Sequence, residues 1–241
     1  MYEPRTYRCW IKDSDLVSFT VVVEQTDLYI RARRNLKDKA IRSVLKYRDS
    51  LENYIRHDPL FLTTLEPYQA GGDAPLIIKE MAKASQIAKV GPMAAVAGAI
   101  AEAVGKDLLR FSPEVIVENG GDIFLKTSKK RLLGIYAGQS PFTGKIALEV
   151  KSAETPLGVC TSSATVGHSL SLGNADAVIA LSPSTPLADA VATAIGNMVR
   201  DAADIPRAIE KAQTIRRLHG IIIIKDDKIG VWGEVKIVPL S

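Results

Sequence analysis

A chain of 241 residues with 46% apolar and 24% charged residues has material for one well-packed domain and is not the composition of a disordered segment. A net charge of +4 with 6% aromatic residues, and no aromatics interleaved with basic runs, points away from nucleic-acid binding. Two distant cysteines, Cys9 and Cys160, form neither a disulfide framework nor a zinc spacing, and no apolar run is long enough for a membrane span or signal core, so a cytoplasmic protein with reduced thiols is expected.

Residues 1–15 read as an entry arm. Phe19 to Glu24 is rich in β-branched residues and Leu28 to Arg33 alternates, so the two predict a hairpin turning at Thr26-Asp27. The basic residues Arg31, Arg33, Arg34, Lys37 and Lys39 read as a solvated strand end and helix face. Asn35 is placed to cap a helix from Leu36 to about Ile55, which Asp58-Pro59 ends. Leu60 to Asp73 reads as a loop. Asp73 is placed to cap a second helix running to about Lys89, with Pro75 in its first turn. Met93 to Leu109 is small and apolar on nearly every face, which predicts a central helix approached closely by a sheet or by a ligand over its N-terminus.

Strands are predicted at Glu114 to Val117, Ile123 to Leu125, Leu132 to Ala137, Ile146 to Val150, Gly158 to Thr161 and Ala177 to Leu181. A small-residue helix carrying Asp189 and Thr193 follows. Asp204 is placed to cap a helix from Ile205 to Leu218. Ile221 to Ile224, Ile229 to Trp232 and Val235 to Val238 are the closing strands. Strands and helices mix without regular alternation, so the fold class is α+β, a single domain over 1–241.

Four features carry chemistry. Gly120 and Gly121, between Asn119 and Asp122, make a turn through which a backbone approaches a ligand, with Asp122 as a hydrogen-bond acceptor; a hairpin turn explains the glycines equally. Thr161, Ser162 and Ser163 open a hydroxyl- and glycine-bearing run ending at His168, which suits an anion nest with His168 as acid or base; a surface loop is the competing reading. Asp189 and Thr193, four residues apart, share a helix face and present oxygen ligands to a hard cation such as Mg2+, although an Asp early in a helix also suits the helix dipole. Cys160 is a nucleophile candidate or an inert buried thiol.

Taken in order, the small-residue helix from Gly91 to Gly105, GGDI at Gly120 to Ile123, Leu133-Gly134-Ile135-Tyr136, Cys160 to Ser163 and ADAVAT at Ala188 to Thr193 resemble the ApbE superfamily, over roughly residues 85–200. That family is known for transferring FMN from FAD to a threonine or serine of a target protein with Mg2+. The resemblance is closest to its short cytoplasmic branch. It implies an ApbE-like mixed sheet packed by helices. It also implies Asp189 and Thr193 as Mg2+ ligands, Gly120, Gly121 and Asp122 beside the nucleotide, and Thr161, Ser162 and Ser163 along the flavin or phosphate. The chain differs from the transferases on the early helix, where Ala97-Gly98 and Glu102 stand for a Lys-Gly pair and a downstream Asp. After His168 it lacks the Asp-Pro-x-Thr-Gly segment. The expected ligand is FAD or another phosphate-bearing small molecule with Mg2+; homo-oligomerisation is left open, and neither nucleic acid nor membrane is expected as a partner. Two alternatives stand beside this reading: a thiol enzyme of sulfur metabolism using Cys160, and a non-catalytic binding or assembly module.

Overall fold

Strand pairing places the domain's core on both faces of one long sheet. In a computed structural model describing residues 15–163 and 172–240, the strands are β1 (Val17–Val23), β2 (Thr26–Ala32), β3 (Val115–Asn119), β4 (Asp122–Lys126), β5 (Arg131–Gly134), β6 (Ile146–Val150), β7 (Leu157–Ser162), β8 (Ala177–Ser182), β9 (Gly220–Lys225), β10 (Lys228–Gly233) and β11 (Ile237–Pro239). Eight form a sheet in the order β1-β2-β3-β4-β7-β8-β9-β10, and three form a second sheet, β11-β6-β5. The α+β class and the helix-packed sheet are as expected. Each pairing among the described residues is antiparallel.

The helices are α1 (Lys37–His57), α2 (Leu60–Thr63), α3 (Leu76–Ala88), α4 (Val96–Leu109), α5 (Thr185–Gly196) and α6 (Ile205–Gln213). They cover one face of the large sheet, and the small sheet covers the other. The period of two along a strand divides the central residues between these layers. Ile221 and Ile223 of β9 pack with the helices, whereas Ile222 and Ile224 pack toward the small sheet with Leu133, Leu148 and Val150. A run of four isoleucines therefore needs no alternation, because both faces are buried.

Local chemistry explains where the elements stop and where the sequence reading shifts. The first hairpin turns two residues earlier than expected, at Glu24-Gln25. Val23 pairs with Thr26, and Glu24 takes the left-handed φ of 51° that a two-residue turn requires. Asn35 does accept a hydrogen bond at the start of α1, from Lys37 N at 2.9 Å. Asp73 does not cap α3: Pro75 holds the extended cap geometry itself. Asp204 serves the turn before α6, accepting from Arg200 N at 2.8 Å. Helix α6 ends at Gln213, short of Leu218, where three-residue turns such as Ile215 N to Ala212 O at 3.0 Å take over. The expected loop after Asp58 contains the short α2, whose Phe61 is fully buried against Tyr54 and Tyr68.

A buried ion network joins the two sheets. Arg131 on β5 gives Asp15 a two-pronged hydrogen bond at 2.8 and 3.2 Å and donates to Glu114 Oε2 at 3.0 Å. Thr127, Ser128 and Arg33 also donate to Glu114. Arg33, read as part of a solvated basic face, is thus tied into this network. Among the described residues no single helix is long and apolar enough to cross a membrane. Among those residues α3 and Pro92–Leu109 are together long and apolar enough, but they are bent by 106° where they join.

Candidate functional site

The site is built where β4, β7, α4 and α5 meet. The Gly120-Gly121 turn between β3 and β4 runs at φ of 67° and 105°, which glycine alone adopts without strain. Its register pairs Asn119 with Asp122, so Asp122 enters β4 at the end of the sheet that also carries Thr161 and Ser162. Glu118 Oε1 accepts Gly121 N at 2.9 Å, and Asn119 Nδ2 donates to Ala97 O at 3.1 Å, tying the turn to the start of α4.

Glycines set how closely α5 approaches its neighbours. A Cβ on Gly158 would stand 2.5 Å from Thr185 Cα, and one on Gly98 would stand 2.7 Å from Thr185 O and 2.9 Å from Asp189 Cβ. Helices α4 and α5 cap each other across that contact. Asp189 Oδ2 accepts Gly98 N at 2.8 Å and the carboxylate also takes a hydrogen bond from Ala97 N; Glu102 Oε2 accepts Thr185 N at 2.6 Å. Each carboxylate satisfies main-chain donors left orphaned in the first turn of the other helix. The dipole Asp189 serves is therefore that of α4, not of its own helix.

The two aspartates lie in one electrostatic neighbourhood. Asp122 is 7% exposed and accepts Thr161 N at 3.3 Å. Burial, then the Asp189 charge, push its carboxyl well above the usual carboxylate range, against the opposing pull of Cys160 and Thr161. Burial raises Asp189 to about 7 despite its hydrogen bonds from Gly98 and Ala97. Between them Cys160 is fully buried on β7, and its Sγ donates to Thr185 O at 3.4 Å. Burial, then the two aspartates, push its thiol pKa well up. That environment opposes thiolate formation and weighs against Cys160 as a nucleophile.

The structure thus brings together Gly120, Gly121, Asp122, Cys160, Thr161, Ser162 and Asp189. Thr161, Ser162 and Ser163 are half-buried; the strand period puts Ser162 on the helix-covered face with Cys160, where a Cβ on Gly196 of α5 would stand 3.4 Å from Ser162 Oγ, and puts Thr161 on the opposite face. Thr193 lies one turn beyond Asp189 on α5 and is half-buried. His168 falls outside the described residues. Sequence reasoning passed over Glu118, the tie from Asn119 to Ala97 and the capping role of Glu102. Only the last left a signal, as the one charged residue in the otherwise apolar first ten positions of α4.

The donor set suits a hard cation better than a soft one, being carboxylate, hydroxyl and main-chain oxygen. Among the described residues no group of three His, Cys, Asp or Glu side chains is arranged to hold a metal ion alone. One or two carboxylates completed by ligand phosphates and water is the usual way Mg2+ is held, so the residues present fit that ion in company with an anionic ligand.

Residues 8–219 match the family model described as "AbpE bacteria". A UPF0280 protein of Methanocaldococcus jannaschii is 43% identical over 221 residues, covering 89% of this chain and 90% of that one. Among solved structures, the ApbE protein of Thermotoga maritima aligns with a TM-score of 0.61 at 11% identity over 91% of this chain and 97% of that one. The flavin transferase ApbE of Vibrio cholerae aligns at 0.60 and 12% identity, over 90% and 96%. At those identities the structures establish the fold alone, while the family match and the 43% relative carry the assignment: this chain belongs to the AbpE family, as a UPF0280 protein with the ApbE fold.

Proposed function

We propose that this chain binds a flavin dinucleotide, or another ligand bearing a diphosphate, together with Mg2+ at the site formed by Asp122, Thr161 to Ser163, Asp189 and Thr193, and that its chemistry is transfer at a phosphate. The observation that supports this best is the pair of aspartates from separate elements, crowded into one buried region where burial disfavours charge on both. Isolated buried carboxylates are costly unless something cationic shares the site. A divalent ion would relieve that cost, neutralise the diphosphate and stabilise a leaving phosphate.

This chain's own residues then have separable roles. The Asp189 carboxylate is held by the main-chain N–H groups of Gly98 and Ala97, which fixes its orientation at the site. Thr193 presents its hydroxyl one turn along. The Gly120-Gly121 turn lets the main chain approach the ligand without a side chain intervening, and the hydroxyls of Thr161, Ser162 and Ser163 line the phosphates. His168 is the acid or base of this reading.

A second reading has one specific observation behind it. Asp189 caps α4, and a carboxylate kept only for that purpose would fit a binding or assembly module without catalysis. Asp189→Asn separates the two, because an amide oxygen still accepts from Gly98 N but carries no charge. Titration of FAD by calorimetry, with and without Mg2+, should show Mg2+-dependent binding that weakens at least about tenfold in Asp189→Asn. Unchanged binding in that variant, or no binding of FAD or FMN in either condition, would overturn the proposed site.

A further inference from the structure

Away from the aspartates, a groove of about 480 Å³ opens between the C-terminal ends of α3 and α6. Four cations line it: Lys89 from the end of α3, and Lys211, Arg216 and Arg217 from the end of α6 and the turn after it. All four are exposed. Among the described residues none of their four side chains is in an ion pair or a hydrogen bond, whereas Arg33 and Arg131 are matched by carboxylates. Ile87 and Ile215 form an apolar floor.

Cations at helix C-termini are ordinary, since each helix end carries about half a negative charge. Here the two ends supply roughly one unit of negative charge against four positive side chains, which leaves an excess near +3. Backbone geometry adds a second observation. Four non-glycine residues among those described have left-handed φ. Glu24 and Asp226 are accounted for by two-residue hairpin turns. The other two are Lys89 at 63° and Arg217 at 69°, and both line this groove. Glycine is the easier residue at such positions, so cations stand at two places where the backbone favours having no side chain. The volume lies in the range of small-ligand sites.

We propose that this groove is a second ligand site, for a compact polyanion carrying two or three phosphate groups. It shares no residue with the Asp122–Asp189 site and does not depend on the reading of that site. Arg217 precedes β9 by three residues, at the end of the sheet where Gly220 pairs with Leu181, whereas Thr161 and Ser162 pair with Ile179 and Val178.

The test is a calorimetric titration of the full chain with inorganic tripolyphosphate in 50 mM NaCl without divalent cations, so that no metal ion bridges the anion to the aspartates. Binding is expected, weakening about tenfold or more at 200 mM NaCl because exposed charges are screened. It should weaken at least about tenfold in a Lys211→Glu, Arg216→Glu double variant, with a smaller loss in Arg216→Gln, and stay unchanged in Asp189→Asn. Lys211 and Arg216 are exposed, and far-ultraviolet circular dichroism checks that all of the variants fold. No binding at 50 mM NaCl, binding indifferent to the double variant, or binding to duplex DNA without binding to tripolyphosphate would overturn the proposal.

Discussion

Gly98 and Asp189 illustrate how tightly single residues are constrained at the site. Only a residue without a side chain lets Thr185 O and Asp189 Cβ come as close as they do. Gly98→Ala should therefore destabilise the protein by roughly 1–3 kcal/mol through overpacking, seen as a lower urea midpoint, and should weaken FAD binding by shifting Asp189. Asp122 obeys a different rule. Burial and the Asp189 charge raise its pKa in the folded state, so the native protein holds protons that the unfolded chain releases. Stability from such a group is present below the unfolded pKa and is lost as pH rises through the folded one. Without divalent metal, Asp122→Asn should raise the melting temperature relative to wild type more at pH 8 than at pH 5. An equal change at both pH values would mean that like charge is not what the pair contributes.

The same separation of packing from charge appears in whole elements. Strand β9 buries Ile222 among the small-sheet residues and Ile223 among the helices. Truncating either to alanine should cost about 2–5 kcal/mol, with the two values similar. A strand with one solvated face would give one large and one small loss, so paired chemical denaturation of Ile222→Ala and Ile223→Ala reads the three-layer arrangement directly. Helices α4 and α5 form a comparable unit through reciprocal capping by Asp189 and Glu102. Glu102→Ala removes an acceptor from Thr185 N and should cost about 1 kcal/mol or somewhat more, as for loss of a helix cap.

At the scale of the molecule, the network around Arg131 joins the small sheet to the large one, with Glu114 at its centre. Burial alone would raise the Glu114 pKa; hydrogen bonds from Ser128, Thr127 and Arg131 outweigh it and bring the value down to about 2. Asp15 is lowered as well, chiefly by its hydrogen bonds from Arg131 and Lys129. A carboxylate with a depressed folded pKa contributes stability that is full above its unfolded pKa and is lost as pH falls toward the folded value. Wild type should therefore lose stability between about pH 4.5 and pH 2. Glu114→Gln should be less stable than wild type at pH 7, with the gap narrowing toward pH 2.5 in urea titrations. A constant gap would show that the carboxylate charge is not what matters at that position.

Local pattern alone was enough to place most strands and helices, the Gly-Gly hairpin before Asp122 and the small-residue character of the helix over the site. Those features depend on neighbours within a few residues: alternation in strands, 3.6-residue periodicity in helices, glycine where φ is positive. The same pattern misplaced the first hairpin turn by two residues and ran the last helix past Gln213, because turn register and helix ends are decided by which groups pair. The order GGDI then ADAVAT was enough to suggest the family. Only the tertiary structure decided that Asp189 caps α4 instead of its own helix, that Cys160 lies buried beside two aspartates, and that Arg33 and Arg131 meet Glu114. These contacts join residues from 17 to 91 positions apart, the extremes being Arg131 with Glu114 and Gly98 with Asp189. No local period encodes such contacts, and the charge state of a buried group follows from them.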